Sequence, residues 1–259
     1  MKCAKIPLLV ACGVFLALPV CGQAQAGSPT PAVAMPGDSI TVGQILDGEI
    51  RASGGKDAWM RITSMHMKGT LEISGNAVTG TFESYDIAPN KSLQTVMIGQ
   101  GIAMRHGFDG VNGWKYEPSR GAEDLVGDEL EDARIDADFY ELIKLKELFP
   151  QMVLQGEASV DGRNVYTIVG TPAHARPRTL YFDKTTGLLI GMSQTITSDG
   201  KTSQADSFFD DFRMVNEIQV PYTIRMKADG VTMVIRLHSV QTNLIILNTG
   251  FSKPVAPPR

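Results

Sequence analysis

The sequence predicts a mainly β protein with a few helices (α+β), built on one strongly curved antiparallel sheet or unclosed β-barrel. Three observations support this fold class. Most segments between residues 64 and 242 alternate apolar and polar residues with period two, which is typical of half-buried strands. Short turns rich in Gly, Asx and Pro separate these segments, as in antiparallel hairpins. One stretch, residues 122–149, has helical periodicity instead and is long enough to cover the sheet.

The N-terminus has the pattern of a secretory signal peptide. Lys2 and Lys5 precede an apolar run at residues 6–20, and residues 24–26 (Ala-Gln-Ala) form a small-x-small cleavage site. The apolar run is too short for a comfortable transmembrane helix. We therefore expect residues 1–26 to be removed, the protein to be exported to the periplasm, and the mature chain to have no transmembrane segment.

All three cysteines lie inside this leader, so the mature chain would have no disulfide, no thiol nucleophile and no thiolate metal site. Residues 18–21 (Leu-Pro-Val-Cys) also resemble a lipobox, which leaves open a lipidated Cys21 as a membrane anchor. Removal of residues 1–26 takes away two lysines and no acid, so the net charge would fall from −4 to −6. An acidic chain without a basic stripe excludes a typical nucleic-acid binder.

Composition divides the remaining chain into three parts. Residues 27–39 are rich in Pro, Ala and Ser and predict a flexible linker. Residues 40–250 contain no internal linker and predict a single domain, which we expect to be a monomer. Its first element is a helix from residue 40 to about residue 51, with Ser39 as the cap. The Pro-rich residues 251–259 predict a disordered tail.

About ten strands follow from the period-two pattern. A hairpin at residues 102–114 is central to their arrangement, because Gly107, Gly110 and Gly113 permit the positive φ of tight turns and Asp109 can hydrogen-bond its own backbone. Calcium is disfavoured there, because the acids and distal Glu of an EF-hand loop are absent. The other strands are predicted near residues 64–73, 80–83, 92–98, 152–157, 164–171, 181–183, 188–189, 207–212, 222–227 and 231–237.

The predicted helix at residues 122–149 is the long amphipathic element of the chain. Its acids come early and its lysines late, which suits the helix dipole, and Pro150 ends it. Its apolar face is too large for an isolated helix in water, so the helix must cover the sheet or a groove. That face consists of Ile135, Phe139, Leu142, Ile143 and Phe149.

The sequence contains no recognisable catalytic, metal or cofactor motif, and we expect a protein that is not an enzyme. Its four histidines are not at metal-ligand spacing, and the common nucleotide, zinc and hydrolase motifs are absent. Asp210 and Asp211 are adjacent on a predicted strand, so they face opposite sides and would not converge on one substrate atom.

Methionine is the informative residue type, because eleven of the twelve remain after cleavage and several fall on apolar strand faces. Methionine is flexible and polarizable, so a methionine-lined surface adapts to varied apolar shapes. Two interpretations stay open. The methionines line a pliable cavity for acyl chains, or they fill an ordinary core.

Five short segments resemble the LolA-like outer-membrane lipoprotein-sorting family, which consists of periplasmic carriers of acyl chains. The resemblance implies an unclosed antiparallel barrel with helices at its mouth, and a carrier that uses no cofactor. The segments are Gly69-Thr70-Leu71-Glu72, Ala88-Pro89-Asn90-Lys91, Gly107-Phe108-Asp109-Gly110-x-x-Gly113-Trp114, Tyr181-Phe182-Asp183-x-x-Thr186-Gly187-Leu188 and Val220-Pro221-Tyr222.

The resemblance also implies an arginine in the barrel that holds the lid by hydrogen bonds, and Arg105 is the nearest candidate. The partners expected are a lipid or lipoprotein acyl chain and a receptor protein of the envelope. Two alternatives remain, namely a structural or partner-binding envelope module with a self-filled barrel, and a hydrolase with convergent acid, histidine and hydroxyl groups. The residues predicted to form the cavity or its lid are Met65, Met67, Phe82, Met97, Arg105, Trp114, Phe139, Leu142, Met226, Met233 and Ile235.

Overall fold

The computed structural model describes residues 40–74, 78–198 and 201–254. In these residues thirteen strands form one antiparallel sheet. This confirms the mainly β class and the open antiparallel sheet, with more strands than the roughly ten expected. The strands are β1 (Ser64–Ile73), β2 (Val78–Ile87), β3 (Lys91–Ile98), β4 (Gly101–Phe108), β5 (Gly113–Glu117), β6 (Gly121–Asp124), β7 (Gln151–Val160), β8 (Arg163–Thr171), β9 (Arg178–Asp183), β10 (Leu189–Ser198), β11 (Lys201–Val215), β12 (Ile218–Ala228) and β13 (Val231–Thr242).

The sheet consists of two meanders that meet at one pair of strands. Its order is β6-β5-β4-β3-β2-β1-β13-β12-β11-β10-β9-β8-β7, so the first and last strands of the chain pair in the middle. In that pair Leu71 lies opposite Ile235. The edges β6 and β7 do not pair with each other, so the sheet is open. Residues 125–150, called here the helical segment, connect the two edges.

The N-terminal helices are α1 (Val42–Ala52) and α2 (Lys56–Met60). Thr41, rather than the predicted Ser39, caps α1 through a capping box with Gln44. Ser39 lies outside the described residues, as do the predicted signal peptide, the linker and Cys21. None of the helices that the structure describes has the length and apolar character needed to cross a bilayer.

The single long helix predicted for residues 122–149 is not formed. Its first residues belong to β6, and the rest form α3 (Asp128–Asp136), a 3-10 turn (Glu141–Ile143) and α4 (Leu145–Leu148). Tertiary hydrogen bonds break the helix after α3, because the N–H of Phe139 donates to the carbonyl of Pro89 (2.9 Å). The carboxylate of Asp138 also accepts the N–H of Tyr140 (2.9 Å) in an Asx turn.

The inner face of the sheet carries the main core, and its two ends are filled in different ways. At one end strand residues pack on one another without any helix, with Leu71 and Ile235 fully buried and Phe82, Met226 and Met233 around them. At the other end the inner face is covered by α1, α2 and the helical segment. The inner face is therefore self-filled at one end and capped by helices at the other.

A smaller core lies on the outer face, at the hairpin that the sequence places at residues 102–114. Trp114 packs over Gly107 with Leu93 and Phe251, and its Nε1 donates to the carbonyl of Phe251 (2.7 Å). Asp109 holds the turn by accepting two backbone N–H groups. Phe251 is 1% exposed, so the predicted disordered tail begins too early, because this side chain fills a groove that the sequence does not reveal. Residues 255–259 lie outside the described residues.

Candidate functional site

An apolar cavity of about 240 Å³ lies where the helices meet the inner face of the sheet. Enclosed apolar pockets with a few polar groups are the usual form of small-molecule sites. The cavity is bounded by α1 and α2, the 3-10 turn of the helical segment, and strands from β1 and β10–β12. Its lining residues are Glu49, Ser53, Trp59, Met65, Met67, Glu141, Leu142, Leu188, Leu189, Met192, Phe209, Phe212, Gln219, Val220, Pro221 and Ile224.

Glu49 is the most deeply buried charged group of this lining. It lies on α1, is 2% exposed, and accepts the backbone N–H of Leu189 through Oε2 at 2.6 Å. Burial raises the pKa of Glu49 to about 7, and the hydrogen bond from Leu189 opposes this only in part. The carboxyl group therefore changes its protonation state near neutral pH.

The remaining polar side chains of the lining include those of Ser53, Trp59 and Gln219. Ser53 accepts a hydrogen bond from Trp59 Nε1 (3.2 Å). The side-chain Oε1 of Gln219 is buried without a hydrogen-bond partner. The lining contains no histidine, and no group of three or more His, Cys, Asp or Glu residues in the described ranges could hold a metal ion. The acid, histidine and hydroxyl combination of a hydrolase is thus not assembled at this cavity.

A buried arginine on β9 ties the helical segment to the inner face. The side chain of Arg178 is fully buried, and its Nη1 lies 2.6 Å from Asp136 Oδ1 and 3.7 Å from Glu141 Oε1. Its Nη2 lies 3.8 Å from Asp132 Oδ1. Phe149 lies against the guanidinium, with the ring centroid 6.0 Å from Cζ. One residue of the sheet therefore contacts α3, the 3-10 turn and the end of α4.

The Arg178 cluster holds more negative than positive charge. Burial, with help from Glu141 and Asp132, raises the pKa of Asp136 to about 8, although Arg178 opposes the shift. Burial also raises the pKa of Glu141. Arg176 contributes a second cation, which donates to Asp132 at 2.6 Å. Burial therefore holds the pKa values of Asp136 and Glu141 above their usual range, against the opposing effect of Arg178.

The opposite end of α3 is fixed to the other arm of the open sheet. Lys115 on β5 pairs with Glu129 at 2.8 Å, and both side chains are largely buried. Since β5 and β9 belong to different meanders, α3 bridges the two arms across the inner face. The helical segment therefore crosses the inner face of the sheet and is bound to both arms, with the cavity beside its 3-10 turn.

The structure places three of the sequence-predicted site residues in the cavity. Met65, Met67 and Leu142 line it. Phe139 lies beside it, packed against the cluster that contains Trp59. The predicted residues that line the cavity therefore come from one face of β1 and from the 3-10 turn.

The other predicted residues lie elsewhere. Phe82, Met226, Met233 and Ile235 belong to the self-filled end of the inner face, so they are core residues in this arrangement. Met97 pairs with Thr81, which is adjacent to the inward-facing Phe82 and therefore faces outward. The Met97 side chain, 38% exposed, accordingly lies on the outer face.

Arg105 and Trp114 also lie on the outer face, away from the cavity. The two side chains contact each other, with Arg105 Cζ 5.9 Å from the Trp114 ring centroid. Arg105 makes no ion pair with the helical segment in the described part of the chain. The arginine that contacts the helical segment is Arg178, because its position on β9 faces inward, whereas Arg105 on β4 faces outward.

Sequence reasoning missed Arg178 and Glu49, although both leave a signal. Arg178 has the same strand parity as the buried Leu180 and Phe182, so its charge falls at a position where an apolar residue is expected. Glu49 follows Ile45 by four residues on α1 and shares its buried face. A charged residue in phase with an apolar face indicates a buried, partnered group.

A second depression of about 470 Å³ lies on the outer face beside the C-terminal residues. Its floor is formed by His66 stacked on Tyr85, with ring centroids 4.2 Å apart and Glu83 hydrogen-bonded to both. Ile245 and Leu247 stand exposed at its rim. This is a partly polar surface depression, so the inner-face cavity is the better candidate for a ligand site.

No protein-family model matches the sequence, and no curated protein matches it. Solved structures match at the level of the fold. A DUF1329 family protein from Desulfovibrio piger has a TM-score of 0.56 at 15% identity, covering 82% of this chain and 97% of that chain. A LolA superfamily protein from Nitrosomonas europaea has a TM-score of 0.53 at 12% identity, covering 83% and 99% of the two chains.

A candidate outer membrane lipoprotein-sorting protein domain from Vibrio parahaemolyticus is similar to the same degree. Its TM-score is 0.53 at 10% identity, and the match covers 80% of this chain and 97% of that chain. Identities this low report the fold alone, since one fold serves many functions. Over most of its length the chain therefore has the fold of the LolA-superfamily and DUF1329 structures.

Proposed function

We propose that the protein is a carrier that holds an apolar chain, from a lipid or a lipoprotein, in the cavity between the helices and the inner face of the sheet. The observation that carries this proposal is the cavity itself, which is lined mainly by apolar side chains from the helices and from the inner face of the sheet. Structures of the same fold include a candidate lipoprotein-sorting domain, which supports a carrier of this kind.

Hydrophobic burial would supply the binding energy. Each buried CH₂ contributes about 0.8 kcal/mol, so a chain of some fourteen carbons could gain roughly 10 kcal/mol before ordering costs. The cavity of about 240 Å³ is smaller than typical ligand pockets of roughly 300–1,000 Å³, so in the closed arrangement it holds only part of such a chain. Loading therefore requires the helical segment to move away from the inner face.

The Arg178 cluster would act as the latch of this movement. It joins the sheet to α3 and to the 3-10 turn that carries Leu142 into the cavity lining. Separation of these elements would leave Arg178 on the apolar inner face without its carboxylate partners, so it is costly without a partner or ligand. We place this carrier in the periplasm, as a monomer that passes its cargo to a receptor of the envelope, with a lipidated Cys21 as the alternative anchor.

The proposal is tested by native mass spectrometry of the mature protein purified without detergent, followed by lipid extraction of the same sample. A stoichiometric apolar adduct is expected, together with binding of a neutral fluorescent apolar probe. Met67→Glu should lower probe affinity more than about tenfold, because it places a charge in the apolar lining. Met97→Glu is the matched control, since Met97 lies on the outer face.

A structural or partner-binding module is the second candidate function. The self-filled end of the inner face favours it, because Phe82, Met226, Met233 and Ile235 already occupy space that a larger cavity would need. A clean apo mass, with no probe bound by the unmodified protein, would reject the carrier and support this module.

A further inference from the structure

The polar part of the cavity lining is rich in hydrogen-bond acceptors. Two carboxyl groups, Glu49 and Glu141, and the unpartnered Oε1 of Gln219 belong to the lining. The lining contains no lysine, arginine or histidine. The lining therefore offers carboxyl groups and no positive group to a ligand.

The two carboxyl groups are not equivalent. Glu141 faces a cation outside the cavity, since Arg178 Nη1 lies 3.7 Å from its Oε1. Glu49 is 98% buried, with 2% of its surface exposed, and within residues 40–74, 78–198 and 201–254 its hydrogen-bond partner is the N–H of Leu189 at 2.6 Å. A buried carboxyl group without a cation is costly, and one backbone N–H satisfies only part of its acceptor capacity.

The position of Glu49 is set by the fold rather than by side-chain freedom. It lies one turn after Ile45 on α1, and α1 is held against β10 by the same Glu49–Leu189 hydrogen bond. The sheet side of the same lining includes the apolar residues Leu188, Leu189 and Met192. Glu49 is therefore a fixed part of the cavity lining.

We propose that this cavity selects apolar chains that carry a hydrogen-bond-donating head group without negative charge, a protonated amine above all, and that Glu49 is the residue that recognises this head group. The inference rests on the carrier function proposed above and specifies the class of its cargo. An ammonium group brings the positive charge and the three donors that Glu49 lacks. A carboxylate or phosphate head would meet Glu49 and Glu141 without a neutralising partner in the lining, so it is disfavoured.

The experiment compares three probes with the same twelve-carbon chain and different heads, namely dodecylammonium, dodecanol and dodecanoate. Each is used to displace a neutral fluorescent apolar probe from the mature protein, below its micellar concentration and at pH 8. Dodecylammonium is expected to bind at least tenfold more tightly than dodecanoate, with dodecanol between them. Glu49→Gln should remove most of this difference while leaving dodecanol affinity within about twofold.

Glu147→Gln is the control, because Glu147 is exposed on α4 and lies outside the lining. If Glu49→Gln does not fold, the unmodified protein decides the question. Its affinity for dodecylammonium should then rise between pH 6 and pH 8 as Glu49 loses its proton. The other charged groups near this end of the cavity are Glu141, Asp136 and Asp132 with Arg178 and Arg176. Because the pKa of Asp136 is about 8, the same rise in Asp136→Asn would assign it to Glu49, and its loss there would overturn that assignment.

The outcomes separate the two proposals. Equal or tighter binding of dodecanoate, or a head-group preference unchanged in Glu49→Gln, would overturn the role of Glu49 and leave the carrier intact. Failure of all three probes, dodecanol included, would overturn the carrier and the head-group selection together.

Discussion

Replacement of Arg178 by methionine is expected to destabilise the folded protein by about 3–5 kcal/mol, the range for breaking a buried ion pair by removing one partner. The methionine conserves most of the side-chain length but leaves the carboxyl groups of Asp132, Asp136 and Glu141 without the guanidinium that lies 2.6–3.8 Å from them. Because the Arg178 side chain is fully buried, solvent does not screen these charges.

The matched control is Arg236→Met. Arg236 pairs with Glu72 at 2.7 Å, but the two side chains are 52% and 56% exposed. An exposed pair contributes about 0–1 kcal/mol, so the control should leave the free energy of unfolding almost unchanged. The comparison isolates the effect of burial from the loss of an arginine.

The assay is urea unfolding followed by tryptophan fluorescence, since Trp59 lies beside the cavity and Trp114 on the outer face. Coincident transitions would support a two-state analysis. Acidification should restore part of the stability of Arg178→Met, because the carboxyl groups left without a cation become neutral. A loss below about 1 kcal/mol for Arg178→Met, or a loss equal to that of the control, would refute the latch.

Three further predictions concern the rest of the fold. Trp114→Phe should lose about 1–2 kcal/mol in urea unfolding, because the buried carbonyl of Phe251 loses its donor, and an unchanged midpoint would contradict this. Gly170→Ala should cost about 1–3 kcal/mol in thermal unfolding, because its Cβ would lie 2.9 Å from the Phe149 ring; a neutral effect would mean that the ring moves freely. The pKa of Glu49 is raised from 4.5 to about 7 in the folded state, so between these pH values the folded state keeps a proton that the unfolded state has lost. The free energy of unfolding should therefore fall as the pH rises from about 4.5 to about 7, by about 3 kcal/mol at most. Glu49→Gln should flatten the stability profile measured from pH 5 to pH 8, and an unaltered slope would show that other carboxyl groups cause it.

The strand pattern was predictable because its signal is local. Alternation at residues 64–73 forms β1, and the Asp-Gly turn at residues 229–230 joins β12 to β13. The same parity rule separates Met67 in the cavity from His66 on the outer face. Parity also identifies Arg178 as a buried charge, although the sequence analysis did not apply it there.

The helical segment was not predictable from periodicity. Residues 128–149 carry a helical apolar pattern, but the hydrogen bond from Phe139 to the distant Pro89 competes with the helix and breaks it. The acids that suit a solvated helix face in the sequence, Asp132 and Asp136, point instead at Arg178. Helix propensity is worth a few tenths of a kcal/mol per residue, so buried contacts of this kind override it.

The sequence by itself determined a mainly β chain of short antiparallel hairpins and a methionine-rich face on β1. It also contains one charged residue within the apolar face of α1, Glu49, and one within the apolar face of β9, Arg178. These features follow from the side-chain periods of two residues in strands and 3.6 residues in helices, which depend only on residues close together in the sequence. Only the tertiary structure decided which apolar residues fill the core and which line a cavity. Met67 and Met233 look alike in the sequence, but Met67 packs with α2 and the helical segment at the cavity, whereas Met233 packs among residues of its own sheet. The difference depends on contacts between residues far apart in the chain.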